Sequence, residues 1–199
     1  FQFLAREEAH REAKAAIAQT AAALVEAGES VVLDSGTTTL AVARALKTRP
    51  VKTVITTSLP IASELQYVAG LDLILLGGTL RREAPDLAGP LTEANVEGLR
   101  ADVAFLGTDA VDAAGTATSA SLALARLIAK LAAAARRVYI VADSSKLGRT
   151  ALARVGTLKN WSGLITDRGA PPRLLAALRR AGVTVILPGG GNGRRGGRS

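Results

Sequence analysis

Val31 to Leu46, VVLDSGTTTLAVARAL, decides the fold. Val31, Val32 and Leu33 make an apolar, largely β-branched run suited to a buried strand, while Leu40, Val42, Ala43 and Leu46 recur at helical spacing. The polar residues between them therefore sit where a strand ends and a helix begins. Gly36 lets the backbone approach a ligand, and Thr37, Thr38 and Thr39 set hydroxyls beside a helix's free N–H groups and positive dipole end. This is the chemistry of an anion cradle. Asp34 would repel a phosphate placed against it, so it is assigned to sugar hydroxyls or to the loop's own N–H groups, with Ser35 to Thr39 facing the anion. A plain helix cap from Ser35 or Thr37 would use the same residue types at the same spacing.

Working outward, Arg6 to Ala27 reads as one amphipathic helix ending at Gly28, its first half much more polar than its second. Residues 1–14 are accordingly expected to be a linker or a helix extending from an upstream domain, and residues 15–188 the folded body. Lys52 to Thr57 predicts a second strand, with Ser58 and Pro60 opening a helix through Tyr67. Leu71 to Leu76 predicts a third, ending in Gly77-Gly78-Thr79, with a loop through Pro85 to Pro90 and a short helix over Thr92 to Leu99. Ala101 to Leu106 and Arg137 to Ala142 predict strands closed by Gly107-Thr108-Asp109 and Asp143-Ser144-Ser145-Lys146, with an Ala/Leu helix from Ser121 to Ala135 between them. Trp161 to Thr166, a helix from Pro172 to Ala181, and Val183 to Leu187 complete the body; residues 189–199 read as a flexible Gly/Arg-rich tail.

Strands alternating with helices imply an α/β fold, a mostly parallel sheet with helices on both faces. The polar clusters then fall at strand carboxyl ends, which lie along one edge of such a sheet, where ligands bind.

Composition narrows the chemistry. With 199 residues, 48% hydrophobic and 3% aromatic, the chain can bury one principal core of Ala, Leu and Val but offers little for stacking on bases. Zero cysteines exclude disulfides and thiolate metal sites, and one histidine, His10, leaves little for a metal centre or a Ser-His triad. No metal or cofactor is expected. Of the net charge of +8, three units come from Arg194, Arg195 and Arg198 in the tail, leaving +5 for the rest, a balance compatible with an anionic ligand. Arg126 and Lys130 interrupt the longest apolar run, so no membrane partner is expected and a cytoplasmic address follows. The start at Phe1 and the absence of methionine suggest a piece of a longer product.

In sequence, the clusters LDSGTTT (33–39), TSLPIA (57–62), LGGTLR (76–81), AFLGTD (104–109) and ADSSKLG (142–148) resemble the C-terminal effector-binding domain of the DeoR family of bacterial repressors of sugar metabolism. The resemblance covers roughly Arg6 to Leu187. It implies a sensor resembling the ribose-5-phosphate isomerase and coenzyme A transferase fold, which binds a phosphorylated sugar. It further implies a missing N-terminal helix-turn-helix domain that contacts operator DNA, and a homo-oligomer. Carried over, Asp34, Ser35, Gly36, Thr37, Thr38 and Thr39 match the phosphate-sugar loop, while Thr57, Ser58, Gly77, Gly78, Asp109 and Lys146 match the surrounding pocket. The chain departs from the family in Ser119 to Leu131, where a usual Glu and Lys pair is replaced by a segment without an acid.

Two other readings compete with a sensor. An aldose-ketose phosphate isomerase would use Asp109 or Asp112 to relay protons and Lys146 to stabilise an enediolate, but lacks the usual carboxylate-lysine pair on the following helix. Direct DNA binding would fall to the basic tail.

Overall fold

The computed structural model describes residues 2–189. In chain order, helices α1 (Gln2–Glu8) and α2 (Arg11–Ala22) precede strand β1 (Ser30–Leu33), α3 (Thr37–Leu46), β2 (Thr53–Thr56), α4 (Leu59–Leu65) and β3 (Asp72–Leu75). A short hairpin, β4 (Thr79–Leu80) with β5 (Leu87–Ala88), leads through α5 (Pro90–Val96) to β6 (Ala101–Leu106). Strands β7 (Ala110–Val111) and β8 (Thr116–Ser119) then precede α6 (Leu122–Ala133) and β9 (Ala135–Val141). The chain ends with β10 (Ala153–Thr157), β11 (Gly163–Ile165), α7 (Pro172–Arg180) and β12 (Val185–Ile186).

Seven strands form one parallel sheet in the order β12-β11-β9-β6-β1-β2-β3. Successive residues face opposite sides of it, so central strands are apolar on both faces. Val31, Leu33, Val103, Phe105, Tyr139 and Val141 pack with α2, α3 and α4, and Phe105 stacks on Tyr139 at 5.6 Å. Val32, Ala104, Leu106, Val138 and Ile140 face the opposite way and pack with α5, α6 and α7. The predicted α/β architecture is the one observed.

Three features depart from the sequence reading. The helix expected over Arg6 to Ala27 is two helices, broken at His10, whose backbone is left-handed (φ 57°), and ending at Ala22. The turn lets α1 fold over the carboxyl edge of the sheet, where the Lys14 ammonium donates to the Arg6 carbonyl in the last turn of α1 and, at 2.5 Å, to the Ala9 carbonyl just beyond it. The loop expected near Pro85 contains β5. Strands β7, β8 and β10 form a separate antiparallel sheet that sequence periodicity did not separate from loop. Beyond Gly189 the expected basic tail lies outside the described residues.

Candidate functional site

The chain reverses strand order between β1 and its neighbours: β1 pairs with β2 on one side and with β6 on the other. A crevice opens at such a switch point. Asp34 leaves β1 there and is buried. One carboxylate oxygen accepts the Gly107 N–H at 2.8 Å and the other the Gly36 N–H at 3.3 Å, stapling the loop after β1 to the loop after β6. Burial pushes the Asp34 carboxyl above the usual carboxylate range, against the pull of these N–H groups, of Thr39 and of Lys146. The loop's own N–H groups thus claim Asp34, one of its two expected roles.

Gly36 precedes α3, whose N-terminus receives no side-chain cap. Thr39 Oγ1 instead donates inward, to the Gly36 carbonyl at 2.8 Å or the Asp34 carbonyl at 3.2 Å, which fixes the turn. Thr38 is only 2% exposed, and its hydroxyl has no hydrogen-bond partner. Leaving such a group unpaired costs on the order of 1–3 kcal/mol.

Above this helix end lies a cavity of about 380 Å³. Its lining brings together Asp34, Ser35, Gly36, Thr37, Thr38, Thr57, Asp109 and Lys146 of the residues expected from sequence. Four others lie outside the lining. Thr39 is the structural hydroxyl just described, and Ser58 caps α4 by accepting the Ile61 N–H at 3.3 Å. Gly77 sits beside Asn95 of α5. Gly78, at φ +151°, packs so tightly that a Cβ would fall 1.8 Å from Thr92 Oγ1. Its glycine requirement comes from packing.

Asp109 accepts from Ser119 Oγ at 2.9 Å and from the Ala120 N–H at 2.8 Å, and Lys146 Nζ donates to the Thr108 carbonyl at 2.9 Å. Asp112 does not line the cavity; its carboxylate accepts the N–H groups of Ala114 and Thr116 and shapes a turn. Asp143 is buried and accepts from Ser145. Burial would raise Asp167, but hydrogen bonds from Ser144 and Gly169 hold it below the usual range and lock the loop carrying Lys146.

Sequence reasoning missed the cavity's roof. Arg6 and Lys14, reached from α1 and α2, line it together with Arg81 and Arg149. Lys14 is only 5% exposed. Burial lowers its pKa, with Asp143 pulling the other way and Lys146 adding to the depression. Arg81 is held by a bidentate pair with buried Asp86. Five cationic side chains thus line the cavity against the three carboxylates of Asp34, Asp109 and Asp143. Apolar residues of α6, including Leu124 and Ile128, form another wall, in the helix that lacks the acid expected of the family. Lys14 stands in an otherwise polar helical stretch, and nothing in its spacing marks it as buried.

The crevice thus combines, on an α/β fold, a switch point, an uncapped helix N-terminus and more cationic than acidic side chains. The fold resembles that of ribose-5-phosphate isomerase A from Methanocaldococcus jannaschii, with a TM-score of 0.52 at 20% identity over 70% of this chain and 55% of the other. It also resembles eIF2B delta from Chaetomium thermophilum, with a TM-score of 0.56 at 19% identity over 79% and 56% of the two chains. At such identities the likeness concerns the fold alone.

Residues 9–168 match the family model of the DeoR C-terminal sensor domain, and the chain belongs to that family. It is 34% identical to a putative aga operon transcriptional repressor of Escherichia coli O157:H7 over 88% of this chain and 65% of the relative. It is 35% identical to the HTH-type transcriptional regulator GlpR of Haloferax volcanii over 91% and 71%, respectively. A glycerol-3-phosphate regulon repressor of Escherichia coli K12 is 28% identical over 87% and 69%. The chain thus spans about two-thirds of the length of these curated relatives. Their names point to a regulator rather than an enzyme. Among the described residues, no helix is long and apolar enough to cross a membrane.

Proposed function

We propose that this chain is the effector-binding module of a transcriptional regulator of sugar metabolism, and that its cavity takes a phosphorylated sugar. In this reading the phosphate sits at the N-terminus of α3, against the backbone of Ser35 to Thr38 and the Thr38 hydroxyl, with Lys14 and Lys146 as charge partners. The sugar extends toward Asp109 and the apolar wall of α6. The observation that carries it is Thr38: a buried hydroxyl with no partner, at an uncapped helix N-terminus, beside a cavity whose lining holds five cations against three carboxylates. A bound anion supplies the missing partner.

Occupancy is signalled through α1. That helix has no fully buried side chain and is held by Lys14, by the ion pair of Glu7 with Arg44 at 2.7 Å, and by Phe3, which packs partly buried against the core. A ligand that engages Lys14 therefore changes how α1 is fastened. An upstream helix-turn-helix domain contacting operator DNA would read that change; the names of the relatives, an HTH-type regulator among them, support this part of the reading.

A melting-temperature screen against sugar phosphates, the matching free sugars and inorganic phosphate tests the reading, because a ligand of the folded state raises the midpoint by mass action. A sugar phosphate should shift it, the free sugar should not, and Lys146→Ala should weaken the shift. No shift from any phosphorylated sugar in a folded sample would overturn it.

A further inference from the structure

The two edges of the seven-stranded sheet are unlike each other. At one end β12 is only two residues long, a short edge of the kind that discourages strand addition. At the other end β3 carries Ile74 and Leu75 at 40% and 39% exposure, with no proline, lysine or bulge in the strand. The Asp72 N–H donates to the Lys52 carbonyl at 2.9 Å and the Leu76 N–H to the Thr56 carbonyl at 2.8 Å. Even-numbered residues therefore spend their backbone groups on β2, and Leu73 and Leu75 turn theirs outward. Apolar surface is also exposed beside this edge: Tyr67, just past α4, which packs against β3, is 89% exposed.

We propose that β3 is the interface of a two-fold symmetric homodimer, pairing antiparallel with β3 of a second copy so that the two sheets become continuous. The outward groups restrict the register. Leu73 must face an outward residue of the other strand, and centring the axis on Asp72 would set two carboxylates against each other in the closest type of cross-strand pair. Centring it on Leu73 would set Asp72 against Ile74. Centring it on Ile74 makes Leu73 and Leu75 exchange four backbone hydrogen bonds across the axis, brings the two exposed isoleucines together, and moves each Asp72 opposite Leu76. A second copy meets both the charge and the apolar pattern of this edge, as an isologous contact requires. The strand pair alone is small beside the ~800 Å² per partner of a standard interface, and the surface around Tyr67 extends it.

The chain contains no cysteine, so a single introduced thiol reports the axis directly. In the non-hydrogen-bonded pair at the axis the two Cα atoms would lie about 4.5 Å apart, within disulfide range. Mild oxidation of Ile74→Cys should give a covalent dimer roughly ten-fold or more faster than Leu152→Cys, a more exposed position away from this edge. Leu75→Pro removes one outward N–H without touching the pairing to β2 and should reduce the solution mass to the 20.4 kDa of one chain while the far-ultraviolet spectrum is kept. If that variant unfolds, Ile74→Lys, which puts like charges at the axis, replaces it with the same expected mass. A monomeric parent chain, equal cross-linking rates at 74 and 152, or a dimer that survives the charge at 74 would each overturn the proposal.

Discussion

Replacing Thr38 with valine should move stability and binding in opposite directions. Valine keeps the shape of the side chain and removes only the hydroxyl, which is buried and unpartnered in the ligand-free protein. Relieving an unsatisfied buried polar group recovers about 1 kcal/mol, the lower end of its usual cost, and for a domain of this size that raises the melting temperature by roughly 2–4 °C. With a phosphate at the α3 N-terminus the same hydroxyl donates to a charged acceptor, a bond of about 1.5–3 kcal/mol, so its loss should weaken the effector some 10- to 100-fold at 1.4 kcal/mol per decade. Thermal unfolding without ligand and calorimetric titration with the best sugar phosphate read the two terms. Thr166 supplies the control, because its hydroxyl is also buried without a partner but does not line the cavity. Thr166→Val should stabilise without changing affinity. If Thr38→Val leaves affinity within two-fold of the parent chain by about the same measure as Thr166→Val, the hydroxyl serves packing alone and the α3 terminus does not hold the phosphate.

Lys14→Met should cost about ten-fold or more in effector affinity through loss of a charge-assisted contact, and should speed amide exchange across Gln2 to Ala9, since the terminal carbonyls of α1 lose their donor. Gly78→Ala should destabilise the fold by at least ~2 kcal/mol, because its Cβ would overlap Thr92 Oγ1 at a backbone angle alanine avoids, while calorimetry on the folded fraction finds affinity preserved. Asp34 sets a pH dependence. Its folded-state pKa lies above the ordinary 3.8, so the folded protein holds the proton more tightly, and this group's contribution is greatest below 3.8 and declines as pH rises through the raised value. Urea midpoints of the parent chain should therefore fall relative to Asp34→Asn across that window; a constant difference between the two would refute the assignment.

The sheet was legible because its central strands are short apolar runs closed by polar turns, as in Val31 to Leu33 and Ala101 to Leu106, and because parallel strands place their carboxyl ends together. That geometry is why the loop after β1 and Lys146 converge on one cavity although 100 residues and more separate them in the chain. Thr39, Ser58, Gly77 and Gly78 belong to the same motifs but serve turns, caps and packing, a division of labour within a motif that spacing does not express. Lys14 was illegible for a different reason. Its neighbours are charged and its helix reads as solvated, so only the left-handed turn at His10, which no glycine or proline announces, reveals that α1 folds back and encloses the ammonium. Burial, only partly offset by Asp143, costs that lysine part of its affinity for its own proton, and an anion arriving at the α3 terminus would restore it. In the proposed reading the charge that meets the ligand and the contact that fastens α1 are thus one group. A ligand at this site and the position of α1 must therefore be energetically coupled, and by reciprocity whatever pulls on α1 from upstream must change the affinity of the cavity by the same factor.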